Sequence, residues 1–82
     1  MDKEIGKVIH YFDKAMVAVV KLTDQLAVGD TVKFARGESE FTQTVESMEV
    51  NYEKIQTGKA GDEVAIKVSE ETHEGAKVYK IE

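Results

Sequence analysis

The chain has 82 residues, a formal net charge of −5 and no cysteine. This length supports one domain, residues 1–82, without room for a second hydrophobic core. The composition excludes disulfides and thiolate zinc sites, and no apolar run approaches the roughly 20 residues of a membrane helix.

The charge is unevenly distributed along the chain. Residues 1–37 carry six bases and five acids, whereas residues 38–82 carry five bases and eleven acids. The negative net charge disfavours long-range attraction to phosphate, so a nucleic-acid contact would need a local basic face built from the first three strands. The alternative is a solvated surface kept soluble by charge. Because the N-terminal MDKEIGKVIHYF lacks a long apolar block, we expect a cytoplasmic protein without membrane contact.

Alternating branched side chains predict β-strands along the whole chain. The expected strands are residues 4–12, 15–22, 31–36, 40–50, 63–68 and 76–81, with a short element at 51–56 and turns at 13–14, 29–30 and 57–62. Short strands at this spacing predict an all-β fold, and closure into a barrel of six or seven strands would remove exposed edges. Gly6 predicts a bend or a close backbone approach, and Gly61 a positive φ.

The long strand at residues 40–50 contains a conflict of parity. Phe41 and Val45 share one face of a regular strand, whereas Met48 and Val50 share the other. All four are apolar and suit one core. A β-bulge near Ser47 and Met48 would return both pairs to the same side.

Four segments follow one another with little insertion: GKVIHYFDKAMVAVVKL, LAVGDTVKF, FTQTVESMEV and GKAGDEVAIKV. Their order resembles the second-domain β-barrel of elongation factor Tu and related translational GTPases, with Gly29-Asp30 at the first turn and Ala60-Gly61 at the second. The resemblance covers residues 5–81. Small stand-alone translation elongation factor-like proteins look similar, and so does the C-terminal barrel of collagenase-like peptidases, across VGDTVKFARGESEFTQTVESM.

The resemblance does not bring catalysis with it. A GTPase needs a GxxxxGK[ST] loop, and TGKAGD at residues 57–62 lacks both the preceding glycine and the hydroxyl after the lysine. We therefore expect no nucleotide binding by this chain, no cofactor and no enzymatic activity. His10 is expected along or near the core face and His73 in solvent, and the sequence does not assign either of them to Ser47 as a nucleophile and base pair. The acidic stretch EETHE lacks the spacing of a calcium loop, and no metal site is predicted.

The family resemblance implies RNA contact, because related factor barrels contact the aminoacyl end of tRNA. Readers of single-stranded RNA combine cations with exposed aromatic rings. The candidate RNA-binding residues are Lys7, Tyr11, Lys14, Lys33 and Arg36. Lys21 and Tyr52 are further available groups. The expected partner in this case is tRNA or a ribosomal component.

A protein partner is the second expectation. The first two strands are apolar on both faces, unlike half-solvated strands. The candidate protein-interface residues are Ile5, Ile9, Val17 and Val19. If they point outward together, they form a patch typical of an interface. The alternative is that loops and termini cover them.

These observations predict a non-catalytic binding module that contacts RNA or a translation-related protein. The alternative function is an accessory domain that acts beside a separate collagenase-like peptidase or an RNA-modifying enzyme. Both readings place the working surface on the outside of a small barrel.

Overall fold

The computed structural model describes residues 2–81, which form ten β-strands. The strands are β1 (Asp2–Phe12), β2 (Val17–Leu22), β3 (Leu26–Ala27), β4 (Thr31–Arg36), β5 (Ser39–Thr44), β6 (Met48–Val50), β7 (Glu53–Ile55), β8 (Thr57–Gly58), β9 (Glu63–Lys67) and β10 (Lys77–Ile81). The all-β prediction is confirmed for this range. Within it, no helix is long and apolar enough to cross a membrane.

Eight strands form one antiparallel sheet in the order β5-β4-β10-β1-β2-β9-β6-β7, and β3 pairs with β8 separately. Buried residues from both halves of this order belong to a single cluster, so the sheet must curve around it. The cluster consists of Ile5, Val8, Ala18, Val20, Leu22, Leu26, Val32, Phe34, Val45, Met48, Val64, Ile66, Val68, Ala76 and Val78. One continuous core fills the interior, as expected for a domain of this size.

The predicted closure of the sheet into a barrel is wrong. Among the described residues, β5 and β7 are the two edges of the sheet order and do not pair with each other. The expected long strand is interrupted at residues 45–47. There the Val45 N–H donates to the Asp30 carbonyl at 2.8 Å, and Val45 accepts from the Gly29 N–H at 2.8 Å. These bonds extend the β4–β5 contact by one more residue, because Gly29 and Asp30 directly precede β4, and beyond Val45 the chain leaves β4 and continues to β6.

The same interruption resolves the parity conflict of this segment. Val45 and Met48 are fully buried, and Phe41 and Val50 pack against the core from partly buried positions. All four apolar side chains therefore reach one core, as predicted. The change of parity comes from a break between β5 and β6 and not from a bulge within one strand.

The side chain of Gln43 bridges the open seam between β5 and the end of β9. Its Nε2 donates to the Lys67 carbonyl at 2.9 Å, and its Oε1 accepts from the Ser69 N–H at 2.8 Å. The Gln43 amide thus offers one donor to Lys67 and one acceptor to Ser69, two positions further along the chain. A neighbouring strand would present its backbone groups in the same way. The amide substitutes locally for the missing strand pairing.

We expect Gln43→Ala to lower the free energy of unfolding by about 1 kcal/mol, because it removes this pair of hydrogen bonds at an accessible position. Urea denaturation followed by circular dichroism measures the change. Gln56→Ala is the matched control, since Gln56 is exposed. Equal effects of the two substitutions would contradict a bridging role for Gln43.

The turn at Gly29-Asp30 has a structural role, because its own hydrogen bonds close it. Gly29 has a φ of +99°, a value that favours glycine. The Ala27 N–H donates to Asp30 Oδ2 at 2.9 Å, and the Asp30 N–H donates to the Ala27 carbonyl at 3.1 Å. The second turn repeats this geometry: its glycine has the predicted positive φ, and the Lys59 N–H donates to Asp62 Oδ2 at 3.1 Å. Both aspartates close their own turns.

A bulge near the start of β1 corrects the prediction for Ile5. The register of β1 against β10 shifts between Glu4 and Gly6, and Ile5 and Gly6 are both buried. Ile5 is 0 % exposed and belongs to the core, so it does not contribute to an outer patch. The predicted close approach at Gly6 is confirmed, since a Cβ there would lie 2.7 Å from the Lys21 carbonyl oxygen.

A second bulge reverses the parity at the end of β1. The register against β2 shifts between Val8 and His10. His10 and Phe12, which simple alternation places near the core, are exposed, and Tyr11 is partly buried against the core. The expectation of a core-facing His10 is therefore wrong because of an extra residue in the strand.

Candidate protein-docking surface

An apolar strip crosses the outer face of the sheet. Because Ala18, Val20 and Leu22 of β2 point into the core, Val17 and Val19 lie on the opposite face. In the ladders, Val17 is opposite Phe12 of β1 and Val19 is opposite Ala65 of β9. We call these four residues, Phe12, Val17, Val19 and Ala65, the outer apolar strip. Phe12 remains 55 % exposed.

The outer apolar strip lines a shallow groove of about 770 Å³. The tip of the β6–β7 hairpin, Asn51-Tyr52, also lines it, as do the side chains of Glu49, Asp62 and Glu63. The lining residues that carry a charge at neutral pH are all carboxylic acids. Lys21 Nζ lies 3.9 Å from Glu63 Oε2 at the margin, a distance that gives weak pairing at an exposed site. Lys54 is directly opposite Glu49, and Lys67 is directly opposite Val17. The groove is therefore apolar in its floor, and charges of both signs surround it.

The hairpin tip holds a strained aromatic residue. Asn51 and Tyr52 have φ values of +52° and +66°, the left-handed pattern of a two-residue type I′ turn. Such turns favour Asn-Gly, because a side chain at the second position is sterically disfavoured in this region. Tyr52 occupies that second position and is 97 % exposed. Its ring contributes little to the packing of this domain.

Met16 also has a left-handed backbone, but its side chain is packed and its backbone is hydrogen-bonded. Its φ is +54°, and its side chain packs against the core. The Tyr11 hydroxyl donates to its sulfur at 3.3 Å, and its carbonyl accepts from the Val68 N–H at 2.8 Å. Packing and hydrogen bonds offset the backbone cost at Met16. The exposed ring of Tyr52 has no comparable burial.

The structure separates the predicted protein-interface residues. Val17 and Val19 lie together on the outer face, Ile9 is partly buried, and Ile5 is in the core. The interface itself stays a prediction. Sequence alternation missed Phe12 because the second bulge hides its true parity. It named Tyr52 only as a group available for RNA contact, and the signal for its place at a hairpin tip was the Asn-Tyr pair between two short strands.

Two of the predicted RNA-binding residues are engaged within the domain. Lys33 Nζ donates to Asp2 Oδ2 at 2.7 Å and lies 4.0 Å from Glu40 Oε2, so carboxylates face its charge. Tyr11 is partly buried against the core, and its hydroxyl contacts Met16. Tyr11 therefore does not present a free ring for base stacking.

The other predicted cations are not gathered into one site. Lys14 is exposed in the turn after β1, and Arg36 lies at the end of β4 in a groove lined by acidic residues. Those acids are Glu38, Glu40, Glu70 and Glu71. Four carboxylates around one guanidinium disfavour a phosphate there.

Lys7 belongs to a row that sequence reasoning did not find. It is directly opposite Lys21 on β2 and Lys77 on β10. Lys77 Nζ lies 3.9 Å from Glu4 Oε1, and Lys21 has its carboxylate neighbour at Glu63. Like charges placed opposite each other destabilise a sheet slightly. RNA contact by these residues stays a prediction.

The pair between Lys33 and Asp2 gives a prediction about pH. The hydrogen bond from Lys33 lowers the pKa of Asp2 below its ordinary value of 3.8, and the same bond raises the pKa of Lys33. We expect Lys33→Met to raise the pKa of Asp2 toward 3.8, measured by NMR titration of the carboxyl carbon. Lys14→Met is the control and should leave it unchanged.

The sign for stability follows from the lowered pKa of Asp2. The pair of Asp2 with Lys33 contributes to the free energy of unfolding above the pKa that Asp2 has in the unfolded chain. This contribution is lost as pH falls through the lower pKa of Asp2 in the folded chain. The difference in urea midpoint between the native chain and Lys33→Met should therefore shrink as pH falls below about 4. A difference that stays constant down to full protonation of Asp2 would show that the pair does not stabilise the fold.

The two histidines do not form a catalytic pair with Ser47. His10 Nδ1 lies 3.7 Å from Glu74 Oε2, and His73 Nε2 lies 3.5 Å from Glu71 Oε1, all with exposed side chains. Ser47 lies elsewhere, beside the open seam. Across residues 2–81, the structure contains no group of three or more histidine, cysteine or acidic residues placed to hold a metal ion.

Comparison with known proteins relates the chain to one domain of a larger protein. No protein-family model matches it. Over 77 residues it is 31 % identical to the uncharacterized protease MJ0090 of Methanocaldococcus jannaschii, a match that covers 93 % of this chain and 19 % of that protein. The chain thus spans about a fifth of the length of this curated relative.

Two crystal structures share the fold. Both are of the C-terminal domain of the Geobacillus thermoleovorans protein assigned as a U32 peptidase, at 22 % sequence identity. One superposes with a TM-score of 0.91 over 98 % of this chain and 93 % of that domain. Its selenomethionine variant gives 0.87 over 93 % and 96 %. The chain folds as this peptidase C-terminal domain does, whereas these comparisons do not support the translation-factor resemblance.

Proposed function

We propose that the chain is a non-catalytic accessory domain that acts beside the catalytic region of a U32-type, collagenase-like peptidase. The observation that carries the proposal is the match over nearly the whole chain to a peptidase C-terminal domain. The protein MJ0090, which is 31 % identical to this chain, is also named a protease, and the match covers 19 % of its length.

The structure supports a binding role in place of catalysis. The interior is filled by one apolar core, and the described histidines lie on the surface beside carboxylates. Nucleophilic catalysis needs a nucleophile and a base within hydrogen-bonding reach. The outer apolar strip and Tyr52 instead offer an exposed apolar surface, which is typical of a protein contact.

An association measurement tests the proposal. The chain is immobilised, and a U32-family peptidase of the same organism is passed over it, in versions with and without its own C-terminal domain. We expect the version without that domain to bind, because its docking site is vacant. The complete version should bind more weakly or not at all.

Total tRNA of the same organism serves as the competing analyte. Binding of tRNA, with no binding of either peptidase version up to about 0.1 mM, would overturn the accessory function and favour the RNA reading. A folded state of the truncated peptidase, checked by thermal unfolding, is required for a valid comparison.

A further inference from the structure

We draw no further inference here: the strongest candidate, the shallow groove between the outer apolar strip and the exposed Tyr52 at the tip of the β6–β7 hairpin, is surrounded by charges of both signs, and nothing in the structure shows what covers it.

Discussion

Replacing Phe34 with alanine is expected to lower the free energy of unfolding by about 3–5 kcal/mol, which is the usual cost of deleting a buried phenyl ring. Phe34 is 1 % exposed, and its ring stacks on Phe41 with centroids 5.0 Å apart. A domain of this size has about 5 kcal/mol of stability in total, so the variant should be largely unfolded at room temperature. Urea denaturation and loss of dispersion in the NMR spectrum would measure this.

Phe12→Ala is the matched control for that prediction. It removes the same ring from a position that is 55 % exposed, and it should cost less than about 1 kcal/mol. If both substitutions destabilised the chain equally, the assignment of Phe34 to the core and Phe12 to the outer face would be wrong.

Gly6→Ala is expected to destabilise the fold by about 1–3 kcal/mol through overpacking. An added Cβ would lie 2.7 Å from the Lys21 carbonyl oxygen and 2.7 Å from Val20 Cγ1. The first of these atoms belongs to the backbone of β2, and the second to a β-branched side chain with little rotameric freedom. Relief therefore requires the central β1–β2 pairing to shift. Chemical denaturation at constant pH would measure the loss.

Gly58→Ala provides the comparison for Gly6→Ala. A Cβ at Gly58 would lie 2.8 Å from Leu22 Cδ1 and 3.1 Å from Val64 Cγ1. The nearest of these is the end of a flexible side chain, which can move at lower cost, so the loss of stability should be smaller than for Gly6→Ala. A larger loss at Gly58 would show that the β1–β2 contact tolerates displacement better than its geometry indicates.

Much of the fold could be predicted from residue alternation and turn chemistry. The strands β2, β4 and β9 lie close to their predicted ranges, because each alternates cleanly between core and solvent. The glycines of the two Gly-Asp turns were recognisable because glycine is favoured where φ is positive. The core set of β2 also follows directly from its alternation.

The bulges and the sheet edges could not be predicted in this way. A bulge adds one residue to one strand, and this reverses the parity of every residue after it without leaving a clear pattern. Ile5, His10 and Phe12 were misassigned for this reason. The open sheet could not be predicted either, because alternation within a strand does not tell which strands pair, and β5 and β7 are left as edges.

Only part of the candidate site could be predicted from the sequence. Val17 and Val19 could be assigned to a second apolar face by alternation alone. Ala65 and Phe12 join them through strand pairing, which depends on register. The cations proposed to bind RNA lie on several elements. An ion pair such as that of Lys33 with Asp2 cannot be predicted from the sequence, because the fold brings together residues that are 31 positions apart.

The central position of β1 beside β10 has a mechanical consequence. The two strands are antiparallel, and Asp2 is directly opposite Ile81. A pulling force applied at these two points would load the hydrogen bonds one after another, as in opening a zipper, and not all at once in shear. Tension applied at Asp2 and Ile81 should therefore separate β1 from β10 at low force, although the core is tightly packed.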